Sequence, residues 1–177
     1  ETDEPCPVSP NHYAHSKLAG ERAVLQNDNA LVLRVQWLYG EKRDRFTSLK
    51  YKAVFTPFVD QFGAPAWTQE IARIVGELVH LDVVGLYQFA YDDYASWSDV
   101  YQFVKEELGL SVQLIAKRSD EVILPARRPR FGVLSNEKLK KALGLTEMGS
   151  WKEPLRKFLI SQAHTENLSS GPSHVRT

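Results

Sequence analysis

Residues 11–37, NHYAHSKLAGERAVLQNDNALVLRVQW, decide the fold. The first part, Asn11 to Asn27, is dense in Ala, Leu, Glu, Lys and Arg, and Leu18, Ala19, Ala23 and Leu25 roughly share one side of a helix. Asn11 can cap that helix with Pro10 outside it, and Asn27-Asp28-Asn29 ends it. The segment Ala30-Leu31-Val32-Leu33-Arg34-Val35-Gln36-Trp37 is short, carries β-branched residues and is apolar at its start. A buried parallel strand has this pattern. A helix running at once into a buried strand is a doubly wound α/β signature.

Working outward, Glu1 to Pro10 is acidic and proline-rich and reads as a loop. The first residue is not Met, which suggests a fragment or a processed product. Downstream, Glu41 to Arg45 is a charged loop, and Val54 to Val59 fits a short strand. Trp67 to His80 reads as a helix with Thr68 near its start and a stripe of Ile71, Val75 and Leu78. Leu86 to Ala90 is a strand; Ser96, with Asp99 at capping-box spacing, opens a helix that reaches Glu107 and stops at Gly109. Val112 to Ile115 is another strand. Ser135 caps a short helix ending at Gly144, and Ser150-Trp151-Lys152-Glu153 is a capping box for a last helix to about Ile160. The polar end, His164 to Thr177, reads as a disordered tail. Trp97, Tyr101 and Phe103 are expected to pack in the core, and Trp67 to staple its helix start.

Composition narrows the function. The 177 residues are 43% hydrophobic and 25% charged, an ordinary globular balance. Lys+Arg and Asp+Glu are both 22, so no excess of positive charge argues for nucleic acid or an anionic membrane surface. No apolar run approaches about 18 residues, so no membrane span is expected. The single cysteine, Cys6, cannot form an internal disulfide, which fits a reducing, cytoplasmic setting. Cys6 has no local base and reads as a bystander. His12, His15, His80, His164 and His174 show no metal-ligand spacing, so no metal site is expected.

One motif carries chemistry. Tyr13-Ala14-His15-Ser16-Lys17 puts a phenol and an ammonium on one helix face, about 6 Å apart along the axis. A free phenol is a poor acid-base catalyst at pH 7, but a neighbouring ammonium favours its ionised form. Such a pair can give a proton to a carbonyl oxygen or take one from an alcohol. The three donors of a lysine can also hold a ribose hydroxyl. Alone, the spacing occurs in any amphipathic helix.

The surroundings are more specific. Asp3, Pro5, Pro7, Pro10, Asn11, Tyr13 and Ser16-Lys17-Leu18-Ala19-Gly20-Glu21, followed by Leu33-Arg34-Val35-Gln36-Trp37-Leu38-Tyr39-Gly40, resemble the catalytic helix and following strand of extended short-chain dehydrogenases/reductases. Further stretches resemble the dTDP-4-dehydrorhamnose reductase family in order. They are Asp60 to Pro65, Gly85 to Ala90, Arg128-Pro129 with Val133 to Leu139, and Trp151 to Leu159; together the likeness covers about residues 1–160. The resemblance implies the C-terminal part of a Rossmann-type doubly wound α/β fold with a small α/β substrate-binding lobe. Residues 1–40 would close the Rossmann domain, 41–162 would form mainly the sugar-nucleotide lobe with segments returning to the Rossmann domain, and 163–177 the tail. It also implies reduction of the 4-keto group of a nucleoside-diphosphate deoxysugar by NADPH or NADH, with a homodimer compatible. By this resemblance Tyr13 donates the proton, and Lys17 assists Tyr13 and grips the nicotinamide ribose. Trp37 lines the sugar pocket, Gln61 passes the nucleotide-sugar cleft and Arg128 stands on the substrate side of a covering loop.

The chain departs from that family in three ways. It has no Gly-x-x-Gly-x-x-Gly turn to cradle a pyrophosphate, so the N-terminal cofactor-binding half and the Ser or Thr of the catalytic trio are expected upstream. The stretch between Phe46 and Asp60 is short for the family, and His15 stands where a smaller residue or Arg is common. Two other functions stay open: a non-catalytic regulatory or scaffold relative of the same fold, and an isolated interaction module. The run Arg127-Arg128-Pro129-Arg130 likewise has two readings, a bidentate diphosphate site or a solvated basic turn.

Overall fold

The computed structural model describes residues 12–123 and 128–169. Its first helix, α1 (His12–Val24), passes into β1 (Leu31–Arg34) through a turn closed by Ala30 N donating to Asn27 O at 3.0 Å. Asn27 Oδ1 also accepts from Asn29 N at 2.9 Å, the local bond that makes Asn a helix stop. Next come β2 (Leu38–Tyr39), a 3₁₀ turn over Thr47–Tyr51, β3 (Val54–Phe55), β4 (Phe62–Gly63) and β5 (Ala66–Trp67). They are followed by α2 (Thr68–His80), β6 (Gly85–Gln88), β7 (Ala95–Ser96), α3 (Trp97–Glu107) and β8 (Gln113–Leu114). A second 3₁₀ turn, Ser119–Glu121, precedes α4 (Glu137–Leu143) and α5 (Lys152–Ser169). Asn11 and Cys6 lie outside the described residues.

The pairing is mostly parallel, as an α/β fold requires. β1 pairs with β6 (Leu31 opposite Gly85, Arg34 opposite Gln88), β2 with β5 and β3 with β8, all parallel; β4 and β7 are antiparallel. Parallel partners need a long crossover, and α2 lies within the one from β1 to β6. The strand expected over Val54 to Val59 is interrupted because Pro57 has no N–H to give the ladder. Its carbonyl still accepts from Lys117 N at 3.0 Å, and Val59 N donates to Lys117 O at 2.9 Å, so the pairing continues past the proline.

The core forms where α2, α3, α4 and α5 meet these strands. Tyr39, Phe46, Ile74, Leu78, Val100, Val104, Leu139, Leu155 and Phe158 are fully buried. Phe158 stands edge-on to Tyr39 and Trp67, with ring centroids 5.1 and 6.2 Å away. α3 opens on the capping box its sequence announces: Asp99 N donates to Ser96 Oγ at 3.1 Å and Ser96 N to Asp99 Oδ2 at 3.0 Å. Gly109 ends it at φ 60, and Gly144 ends α4 at φ 65, both in the left-handed region that glycine tolerates.

Three local expectations are corrected. Asn136, not Ser135, sits at the N-cap of α4, and its side chain leaves the cap to donate to Ala90 O and Asp92 Oδ1. The start of α5 is held by a remote residue. Ser150 Oγ accepts from Lys152 N but donates to Asp93 Oδ2 at 2.7 Å, Trp151 N donates to Asp93 Oδ1, and Glu153 pairs with Arg156. The tail expected from residue 163 is helical at its start, because α5 continues to Ser169; the polar composition after His164 concealed it.

Candidate active site

Glu21 and Arg34 fix the position of α1. Arg34, the last residue of β1, donates from Nε and Nη2 to the two carboxylate oxygens of Glu21 at 2.7 and 2.6 Å. The bond to Arg34 holds the Glu21 carboxyl below its ordinary value despite partial burial. This clamp matters because none of the residues of α1 is buried. Tyr13 is 75% exposed, and Lys17, one turn on, is exposed as well. Glu21→Gln keeps the shape and removes the charge, so amide exchange within α1 should quicken about tenfold, read by hydrogen–deuterium exchange. Since the folded-state carboxyl is shifted down, the wild-type protection is present above about pH 4.5 and fades as pH falls through the lower folded value.

A second group of residues packs together beyond β1. Trp37 lies past the end of the strand rather than in it, with φ 44, uncommon for a bulky residue. Its ring stacks on Trp97 at 3.8 Å between centroids and 16° between planes. Trp97 is thus half-buried, packed against the core as expected and stacked on Trp37. Gln61 is 5% exposed; its carbonyl accepts from Trp97 N at 3.3 Å, and its Nε2 is buried without a partner among the described residues. The segment after Pro129 joins the same group. Phe62 N donates to Arg130 O at 2.7 Å and Gly132 N to Phe62 O at 3.0 Å. This brings Phe131, 61% exposed, against Phe62 and Tyr94.

The basic run divides. Arg130 is committed to protein partners, Asp120 at 2.8 Å and Asp60 at 3.4 Å, while Ser119 donates to Asp60 through N and Oγ, both at 2.8 Å. Burial favours a neutral Asp60, but the Ser119 bonds and Arg130 outweigh it and hold the carboxyl below its ordinary value. Arg128 is exposed, and Arg127 lies outside the described residues. Trp37, Gln61 and the 130–132 segment therefore pack close together around β4 and the start of α3, Arg128 lies two residues before that segment, and Tyr13 and Lys17 stand on α1. The sequence does not reveal that Trp97 stacks on Trp37, because a helical aromatic stripe has the same pattern whatever it packs against.

For a nicotinamide cofactor the described residues offer one end of a site. The exposed hydroxyl of Tyr13 and ammonium of Lys17 suit a ribose and a reacting carbonyl. A glycine-rich turn at a helix N-terminus, which would take the pyrophosphate, is absent from the 177 residues.

Comparison with known proteins decides the family. Residues 1–163 match the family described as the RmlD substrate binding domain. The chain belongs to this family. Similar to it is the dTDP-4-dehydrorhamnose reductase of Mycolicibacterium smegmatis, 32% identical over 163 residues that make up 87% of this chain and 49% of that protein. Among solved structures, a dTDP-4-dehydrorhamnose reductase from Clostridium acetobutylicum superposes with a TM-score of 0.84 at 26% identity, covering 92% of this chain and 59% of that one. One from Bacillus anthracis, solved in complex with NADP, shares the fold at a TM-score of 0.83 and 24% identity, with 91% and 58% covered. The chain spans about half the length of the curated relatives it matches, for example 53% of a spore coat polysaccharide biosynthesis protein of Bacillus subtilis. Among the described residues of this RmlD-family chain, no helix is long and apolar enough to cross a membrane.

Proposed function

We propose that this chain is the substrate-binding and proton-donating part of an NADPH- or NADH-dependent reductase of a nucleoside-diphosphate 4-keto-deoxysugar, of the dTDP-4-dehydrorhamnose type. The observation that carries the reading is the exposed Tyr13 and Lys17 pair, one turn apart on a helix clamped to β1, within a chain that matches a substrate-binding domain family over residues 1–163. When bound, the reduced nicotinamide supplies the hydride for the keto carbon. Tyr13 then gives its hydroxyl proton to the carbonyl oxygen as that oxygen gains charge, which leaves an alcohol. The Lys17 ammonium stabilises the phenolate that remains and holds the ribose. Trp37, backed by Trp97, offers a flat apolar wall to a sugar face. Gln61 contributes an amide donor, and the exposed Arg128 a guanidinium suited to a diphosphate.

Lys17→Met tests the assignment, because it keeps length and helix propensity while removing the charge. In the intact reductase the variant should turn over dTDP-4-dehydrorhamnose at least about tenfold more slowly and also bind NADPH more weakly. Kinetics and cofactor titration identical to wild type would remove Lys17 from the chemistry and favour a non-catalytic relative. A surface lysine without a role would cost no more than about 0.5 kcal/mol of stability and leave both readouts alone.

A further inference from the structure

Gln36 has no part in the function above, yet its side chain lies among the same residues. In an extended chain neighbouring side chains face opposite ways. The left-handed backbone of Trp37, φ 44, cancels that alternation. Both side chains therefore arrive at one place: a Cβ on Gly63 would lie 2.8 Å from Gln36 Oε1 and 2.8 Å from Trp37 Cε2. A Cβ on Gly132 would lie 3.8 Å from the same Oε1. The carboxamide is thus seated between β4 and the segment after Phe131, which are themselves joined by Gly132 N donating to Phe62 O at 3.0 Å. A Cβ at position 63 would displace the carboxamide and press on the indole ring. Its Nε2 is buried and has no hydrogen-bond partner among the described residues, and Gln61, two residues before Gly63, is in the same condition. Buried donors are normally satisfied, because an unpaired one has lost its water without replacement. Two such amides beside a stacked indole pair are what a ligand rich in hydroxyl groups would complete.

We propose that Gln36 is a specificity-determining residue whose Nε2 donates to a neutral oxygen of the hexose in a nucleoside-diphosphate sugar packed against Trp37. The inference rests on the reading of Trp37 as a wall of the sugar pocket. A neutral amide suits a hydroxyl or carbonyl oxygen of the sugar, whereas a diphosphate is better met by a guanidinium. A site built to hydrogen-bond a sugar oxygen also rejects ligands that lack it, since the amide is then left unpaired.

Gln36→Met separates this role from packing. It keeps the side-chain length and removes the donor. Calorimetric titration of the 177-residue chain with dTDP-rhamnose and with dTDP should show about tenfold weaker binding of the sugar nucleotide and unchanged binding of dTDP. The melting temperature should hold or rise, because an unpaired buried donor has been deleted. Gln36→Asn, which retracts the amide by one methylene, should give the same binding pattern and serves if the Met variant does not fold. Wild-type affinity for dTDP-rhamnose in both variants would overturn the inference alone. A fall in melting temperature with equal weakening of both ligands would also overturn it, by reducing Gln36 to a packing residue. If the wild-type chain binds dTDP but gains nothing from the sugar, the sugar-pocket reading fails and the inference falls with it.

Discussion

Tyr13→Phe is expected to lower the turnover of dTDP-4-dehydrorhamnose by about 100-fold or more while leaving NADPH binding nearly intact. The substitution removes one oxygen from a side chain that is 75% exposed, so packing and fold should be undisturbed. Only the proton for the carbonyl oxygen is lost. Without it the oxygen must take its proton from water, which is not positioned for the transfer. Single-turnover oxidation of NADPH, followed by absorbance, isolates this step from product release. Equal rates in wild type and variant would show that Tyr13 is simply a residue of α1, and the proposed reductase chemistry would lose its acid.

Asp92→Ala should destabilise the fold by about 2 kcal/mol, or about 4–8 °C in melting temperature for a chain of this size. Asp92 follows β6 and binds two distant segments at once. Its Oδ1 accepts from Asn136 Nδ2 at 2.9 Å, and its Oδ2 from Met148 N at 2.6 Å and Gly149 N at 2.9 Å, with Lys140 Nζ 3.4 Å away. Each of those donors loses a charged acceptor in the variant, although the side chain is about a third exposed, so water replaces part of the loss. Burial by itself would raise the carboxyl; the bonds from Asn136, Met148, Gly149 and Lys140 prevail and hold it below its ordinary value. The sign of the pH dependence follows. A carboxylate lowered in the folded state contributes its full stability above its unfolded value, near pH 4, and loses it as pH falls through the folded value. The gap in melting temperature between wild type and Asp92→Ala should therefore be constant from about pH 5 to 8 and narrow below about pH 4. A gap that persists unchanged at pH 3 would mean that the charge of Asp92 is not what joins the segments.

Asp92 also illustrates what a sequence conceals. Its partners are 44 and 56–57 residues away. Nothing local distinguishes it from Asp93, which instead holds the first turn of α5 through Ser150 and Trp151. For the same reason the box Ser150 to Glu153 is only half right: the serine is used, but the acid that completes the cap comes from another loop. By contrast, Ser96 and Asp99 form their box as spaced, because both partners lie within one turn and no tertiary competitor intervenes.

The sequence by itself determined the α/β class, the family, and the helix that carries Tyr13 and Lys17. Helical periodicity, the Asn27 stop and the apolar start of β1 are local properties that need no distant contact. A Tyr-x-x-x-Lys spacing fixes a shared helix face wherever the helix lies. The tertiary structure alone decided which residues gather around Trp37. It turned the chain left-handed at Trp37, set Trp97 behind its ring, paired Arg130 with Asp60 and Asp120, and seated Gln36 against Gly63. These contacts join residues well separated in the chain, and no short-range spacing encodes them. They exist because β4, the loop before Gly132 and the start of α3 pack onto one another, and that packing is a property of the whole hydrophobic core.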